Sequence, residues 1–169
     1  MKNTRNTRSF FTCIIVLLLL FTVPCSMVSA LDGVFFGAGA EAGGNAREGA
    51  APGVIVLAGA EINQLFALGF RKGFFLDTAK VTTLEDSVFF RVKFPVKNTV
   101  PFVQAELGTS VLFEDGKSYP LFLGALAAGW RFHIGRFVYI EPAARVGHPF
   151  IWGAGLAIGI RFDKEEGVR

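Results

Sequence analysis

The chain is predicted to be all-β, folding as an eight-stranded antiparallel up-and-down transmembrane β-barrel. Three observations predict it. Apolar residues recur at every second position in segments of about ten residues, the period of strands rather than helices. The positions between them hold mostly Gly and Ala with one or two charges per segment; a sheet face turned to water would carry long solvated side chains there. The 169-residue chain is 51% hydrophobic, with 19 Phe and 20 Gly, yet beyond residue 30 no charge-free run reaches the roughly 18 to 20 residues that a spanning helix needs.

Residues 1–30 are expected to be a cleavable signal peptide. Lys2, Arg5 and Arg8 precede a nearly continuous apolar run from Phe10 to Val23, and Val28-Ser29-Ala30 offers small residues before a cut. Cleavage would remove three of the 17 basic residues and none of the 14 acidic ones, leaving 14 of each. The basic balance therefore belongs to the leader, and no nucleic-acid partner is expected. Cys13 and Cys25 both lie in the leader, so residues 31–169 carry no disulfide framework.

The strands follow in order. The first runs over 33–43, with Val34, Phe36, Ala38, Ala40 and Ala42 on one face. The second covers 53–62, where Val54, Val56, Ala58, Ala60 and Ile62 oppose Gly59 and Glu61. In the third, 65–76, Phe66, Leu68, Phe70 and Phe74 oppose Ala67, Gly69, Arg71 and Gly73, and Lys72 falls on the apolar face. The fourth, 87–94, and fifth, 100–113, place Arg91, Lys93, Gln104 and Glu106 opposite Val88, Phe90, Val92, Val103 and Leu107. The sixth, 120–134, and seventh, 137–147, put Arg131, Glu141 and Arg145 opposite Leu126, Trp130, Phe132, Ile140 and Val146. The eighth, 150–162, alternates from Phe150 and Trp152 to Phe162. Gly, Pro, Asn and Asp punctuate the joins, as turns require. Residues 31–162 are thus one barrel domain, and 163–169, "DKEEGVR", a short charged periplasmic tail.

Only a closed barrel satisfies every strand hydrogen bond in hydrocarbon. The small, sparsely charged face then points into a crowded lumen and the apolar face to lipid, with Phe35, Ile55, Leu57, Phe89 and Leu123 as large residues on the inner face. Phe94, Trp130, Phe132, Phe150, Trp152 and Phe162 are the expected interface aromatics. Strand number, face pattern and the closing "GLAIGIRF" resemble the small eight-stranded outer-membrane proteins of the OmpA barrel-domain, OmpX and OmpW type. "YIEPAARVGHPFIWGAGLAIGIRF" is also similar to small outer-membrane proteins of spirochaetes. The resemblance implies residence in the outer membrane of a diderm bacterium, contact with outer-membrane lipid, recognition of the C-terminal strand by the assembly machinery, and a monomer. The tail after Phe162 departs from the pattern, in which an aromatic residue ends the chain.

Inward charges are the candidate site: Glu41, Glu61, Glu106 and Glu141 with Arg71, Arg91, Lys93, Arg131, Arg145 and Arg161. Glu141 and Arg145, four apart on one strand, are roughly 13 Å apart and cannot pair. If Ile134 faces Val138, Arg131 falls opposite Glu141, and Glu106 is expected within diagonal reach. Mutually paired filler is the preferred reading, because eight strands leave little interior; a gate or ion-selective constriction is the alternative. No cofactor is expected. His133 and His148, near opposite rims and without an acid cluster at ligand spacing, make no metal site. The glycines around Ala38 and Ala154 are strand positions, not phosphate cradles. Neither histidine begins the His-x-Ser pair of barrel lipid deacylases, so no enzyme is expected. The expected function is a structural outer-membrane barrel contributing to envelope integrity; the alternative is a narrow, OmpW-like channel for small or hydrophobic solutes, and a surface adhesin fits less well because the exposed loops are short.

Overall fold

The computed structural model describes residues 31–45, 49–76, 81–97 and 99–163. The expected leader and the tail beyond Asp163 lie outside the described residues. Eight strands follow one another as β1 (Gly33–Asn45), β2 (Gly49–Glu61), β3 (Phe66–Leu76), β4 (Thr82–Lys93), β5 (Thr99–Glu114), β6 (Lys117–Ile134), β7 (Val138–His148) and β8 (Trp152–Asp163). Each pairs antiparallel with the next, and β1 pairs with β8 to close the barrel. Closure leaves no unpaired edge, which satisfies the backbone without water.

The register fixes how far the strands lean. Paired positions can be followed from Gly124 through Leu107, Val88, Phe70, Ala58, Phe36, Ile160 and Val138 back to Ile134, ten residues further along β6. That stagger corresponds to strands tilted about 35–45° from the barrel axis. One rim holds the start of β1 and the end of β8; we call it the terminal rim, and its opposite the distal rim.

Alternation sorts the side chains as expected. Val54, Phe70, Phe90, Leu126, Trp130, Leu156 and Ile158 are exposed on the outer face, whereas Phe35, Ile55, Leu57, Phe89 and Leu123 are buried in the lumen. Several strands run further toward the distal rim than the sequence suggests. β4 begins at Thr82 rather than Ser87, because Leu76 to Phe74 of β3 pair with Thr82 to Leu84; a run rich in Thr and acids reads as a turn until its partner is seen. β5 and β6 meet in a two-residue turn, Asp115-Gly116, with φ of 48° and 75°. Asp-Gly is the pair that such a doubly left-handed hairpin turn favours.

Two boundary corrections bear on the expected aromatic and tail residues. Asp163 belongs to β8 and pairs with Gly33 instead of beginning the tail. Phe150 does not face lipid. The chain bends over 149–151 before β8 starts, so Phe150 leaves the alternation and its ring meets Phe75 edge-on at 5.0 Å, over the distal end of the lumen. The other five expected interface aromatics, Phe94, Trp130, Phe132, Trp152 and Phe162, are exposed on the outer face.

Candidate functional site in the lumen

All ten charges expected inside do point inward, and nine of them are buried; Arg161, near the terminal rim, keeps 23% of its side chain exposed. They form two groups. In the distal group Arg71 donates to Glu41 at 2.8 Å and to Glu85 at 2.9 Å, while Arg145 donates to Glu41 at 2.6 Å and to Glu85 at 2.7 Å. Two arginines and two glutamates from β3, β7, β1 and β4 thus close a ring of alternating charge across the barrel.

The second group occupies the terminal half. Arg91 grips Glu141 with both terminal nitrogens, at 2.8 and 2.7 Å, and its Nε donates to Gln104 at 2.8 Å. Arg131 donates from Nε to Glu141 at 2.8 Å and from Nη1 to Glu61 at 2.9 Å. Glu61 also accepts from Lys93 at 2.5 Å and lies 3.3 Å from Arg161, which in turn contacts Asp163. Such charge-assisted, partly bidentate contacts offset the desolvation that single buried charges could not survive.

Aromatic rings complete the site. The Arg131 guanidinium lies against both Phe35 and Tyr139, 4.3 and 4.2 Å from the ring centres, and that of Arg91 is 3.8 Å from the centre of Phe102. Arg131 Nη2 has no hydrogen-bond partner; the ring faces beside the guanidinium supply electrostatic compensation instead. The inward glycines make room for these rings. A Cβ at Gly129 would lie 2.6 Å from Phe102 Cζ, one at Gly53 would lie 2.5 Å from Phe75, and Gly59, Gly69 and Gly159 stand in the same way against Phe35, Phe89 and Tyr139. At these five positions rings occupy the space a side chain would take, whereas at Gly39, Gly108 and Gly147 the closest atoms belong to the neighbouring strand's backbone or Cβ.

One expected contact is corrected. Glu106 is not within diagonal reach of Arg131, since β5 presents Val100 opposite Arg131 and Glu106 opposite Ala125. Glu106 accepts instead from Gln104 at 2.7 Å and lies 3.9 Å from Arg71, so it links the two groups. The expected Arg131–Glu141 contact is present, on the Ile134–Val138 register. Glu141 and Arg145 go to different groups, as their spacing requires.

Sequence reasoning missed Glu85, the most completely buried acid, at 0% exposure. Its signal is parity: Glu85 continues the inward series of Ser87, Phe89, Arg91 and Lys93 across an outward Asp86. Tyr139 likewise shares parity with Glu141, and its hydroxyl donates to the Phe36 carbonyl at 3.1 Å. The two histidines take part in neither group as ligands. His148 Nδ1 lies 2.8 Å from the Phe122 carbonyl, and His133 Nε2 lies 3.3 Å from Arg161. Among the described residues no cluster of His, Cys, Asp or Glu is arranged to hold a metal.

A cavity of about 40 Å³ remains between the groups, bordered by Arg71, Arg91, Glu106, Glu141 and Arg145. On that measure it is room for only a few water molecules. An apolar outer belt, a closed antiparallel sheet and a polar but filled interior together define a small barrel built for a bilayer.

Comparison with known proteins agrees at the level of fold. No family model and no curated protein matches the sequence. Among solved structures, the chain is similar to the N-terminal β-barrel domain of Pseudomonas aeruginosa OprF, with a TM-score of 0.65 and 16% identity over 78% of this chain and 98% of that one. It is also similar to the outer-membrane protein OprG of Pseudomonas aeruginosa, at a TM-score of 0.64 and 9% identity over 79% and 98%. Neisserial surface protein A aligns at a TM-score of 0.56 and 12% identity over 78% and 96%. The chain therefore shares the eight-stranded barrel fold of outer-membrane proteins.

Proposed function

We propose that this chain is an integral outer-membrane β-barrel with a structural role in the envelope, its lumen held closed by paired charges. The observation that carries the reading is the continuous strutting of the lumen. Arg91 on β4 reaches Glu141 on β7, Arg131 on β6 reaches Glu61 on β2, and Arg145 on β7 reaches Glu85 on β4. These contacts join strands on different sides of the wall, and buried rings occupy the space around them. Outer-membrane placement is supported by the apolar outer face and by the likeness to OprF and OprG. Assembly through β8 would follow from the same placement. Short distal connections argue against a large binding surface: two residues separate β5 from β6 and three separate β7 from β8.

A narrow channel is the second reading. The cavity between the two groups favours it, as do Glu85 Oε1 and Glu106 Oε2, buried acceptors that receive no hydrogen bond. Recording from refolded protein in planar bilayers separates the two. The structural reading expects no steady conductance from the parent and intermittent conductance from Glu141→Ala, in which a central strut is lost. Steady unitary currents from the parent would transfer the assignment to the channel.

A further inference from the structure

Among the described residues, one ion pair lies on the outer face of the wall, between Lys72 and Asp86. Lys72 and Asp86 are register partners on β3 and β4, 2.8 Å apart on the outer face, with 58% and 59% of their side chains exposed. Their surroundings are apolar. Phe70 and Phe74 flank Lys72 along β3, Leu84 and Val88 flank Asp86 along β4, and Val56 pairs with Lys72 from β2. Thr109, opposite Asp86 on β5, is the polar neighbour. Exposed Phe74 and Leu76 stand between Lys72 and the distal end of β3, so the pair lies within the apolar belt. Charges in that setting are costly and usually face protein or a watered space. The mutual contact cancels their net charge but leaves most of each side chain uncovered.

We propose that Lys72 and Asp86 form the centre of an interface between two copies of this chain, related by a two-fold axis along the membrane normal. The argument is charge complementarity. The two residues sit side by side on neighbouring strands, so a half-turn about an axis facing the pair sets each Lys72 against the partner's Asp86. Four charges then alternate around a square, each gaining a second opposite neighbour while the facing walls exclude lipid. A lipid head group fits less well, since an anionic group drawn to Lys72 would be repelled by Asp86 beside it. The inference rests on the outer face meeting hydrocarbon, and it departs from the monomer expected from the sequence.

The test measures association in liposomes at increasing lipid dilution. Residues 31–169 contain no cysteine, so Lys117→Cys at the exposed distal tip gives a single site for donor and acceptor dyes. Energy transfer should follow a dimer isotherm. Lys72→Asp and Asp86→Lys should each weaken self-association by about tenfold or more, because like charges then meet across the axis. Mixed together, the two single variants should associate as the parent does, and so should the double swap K72D/D86K by itself. Heat-dependent gel migration checks folding separately, so loss of the barrel is distinguished from loss of the dimer. If a single reversal fails to fold, the neutral pair K72Q/D86N carries the test and should be folded and monomeric. A parent that is monomeric at every dilution, a neutral pair that dimerises like the parent, or folded single reversals that ignore each other would each overturn the proposal. So would a monomer that retains one lipid in native mass spectrometry and loses it in K72Q/D86N, which would assign the pair to a lipid head group.

Discussion

Glu141 shows what a single side chain does in this lumen. It accepts from two guanidinium groups on different strands, Arg91 and Arg131, and is 3% exposed. Removing it leaves buried Arg91 without a carboxylate partner and Arg131 with Glu61 alone, so Glu141→Ala is expected to destabilise the barrel by about 3–5 kcal/mol, measured by urea unfolding in lipid vesicles. Arg131→Ala and Glu141→Ala combined should cost less than the separate losses added together, because the contact between them can be lost only once. Additive losses would mean that the two groups do not act on each other. The inward position of these residues was legible from parity alone. The Arg131–Glu141 contact is legible as well, from the short β6–β7 connection; the Arg91–Glu141 contact is not, because the two are 50 residues apart in sequence and meet across the lumen.

At the scale of the strand, β8 carries the clearest division between faces. Leu156 and Ile158 are exposed outward, while Ala157 between them is buried against the inner cluster around Phe35. Placing Arg at Leu156 or Ile158 should therefore cost about 2–4 kcal/mol if these positions meet lipid near mid-bilayer. Ala157→Ser, adding one hydroxyl on the inner face, should be milder in the same vesicle unfolding assay. Equal tolerance of Arg and Ser would exchange inside for outside. The element scale is also where the sequence reading lost residues. The sequence places the start of β4 at Ser87 because "VTTLED" has the composition of a turn, and that boundary leaves out Glu85, a corner of the distal ring. Phe150 reads as an outward residue because its even spacing from Trp152 hides the bend after His148.

For the molecule as a whole, closure makes every strand depend on the hydrogen bonds of two others, and the lumenal contacts add ties across the ring. Protein refolded in detergent should give a β-type circular dichroism spectrum and migrate differently on gels before and after heating. A helical spectrum in detergent, or a soluble monomer without it, would contradict a barrel held in this way.

What the sequence determined by itself is periodic and local: the number of strands, which side chains face in, and the apolar belt that faces out. A period of two survives any change of register by whole pairs, so it distinguishes the two faces without naming neighbours. The tertiary structure alone decided the ten-residue stagger, and with it which inward charges come to the same height. That stagger placed Glu106 between the two charged groups rather than beside Arg131, and brought Glu85 into a ring with Arg71 and Arg145. The physical reason is that partners in a barrel lumen meet through space across the wall, where separation along the chain carries no information about distance.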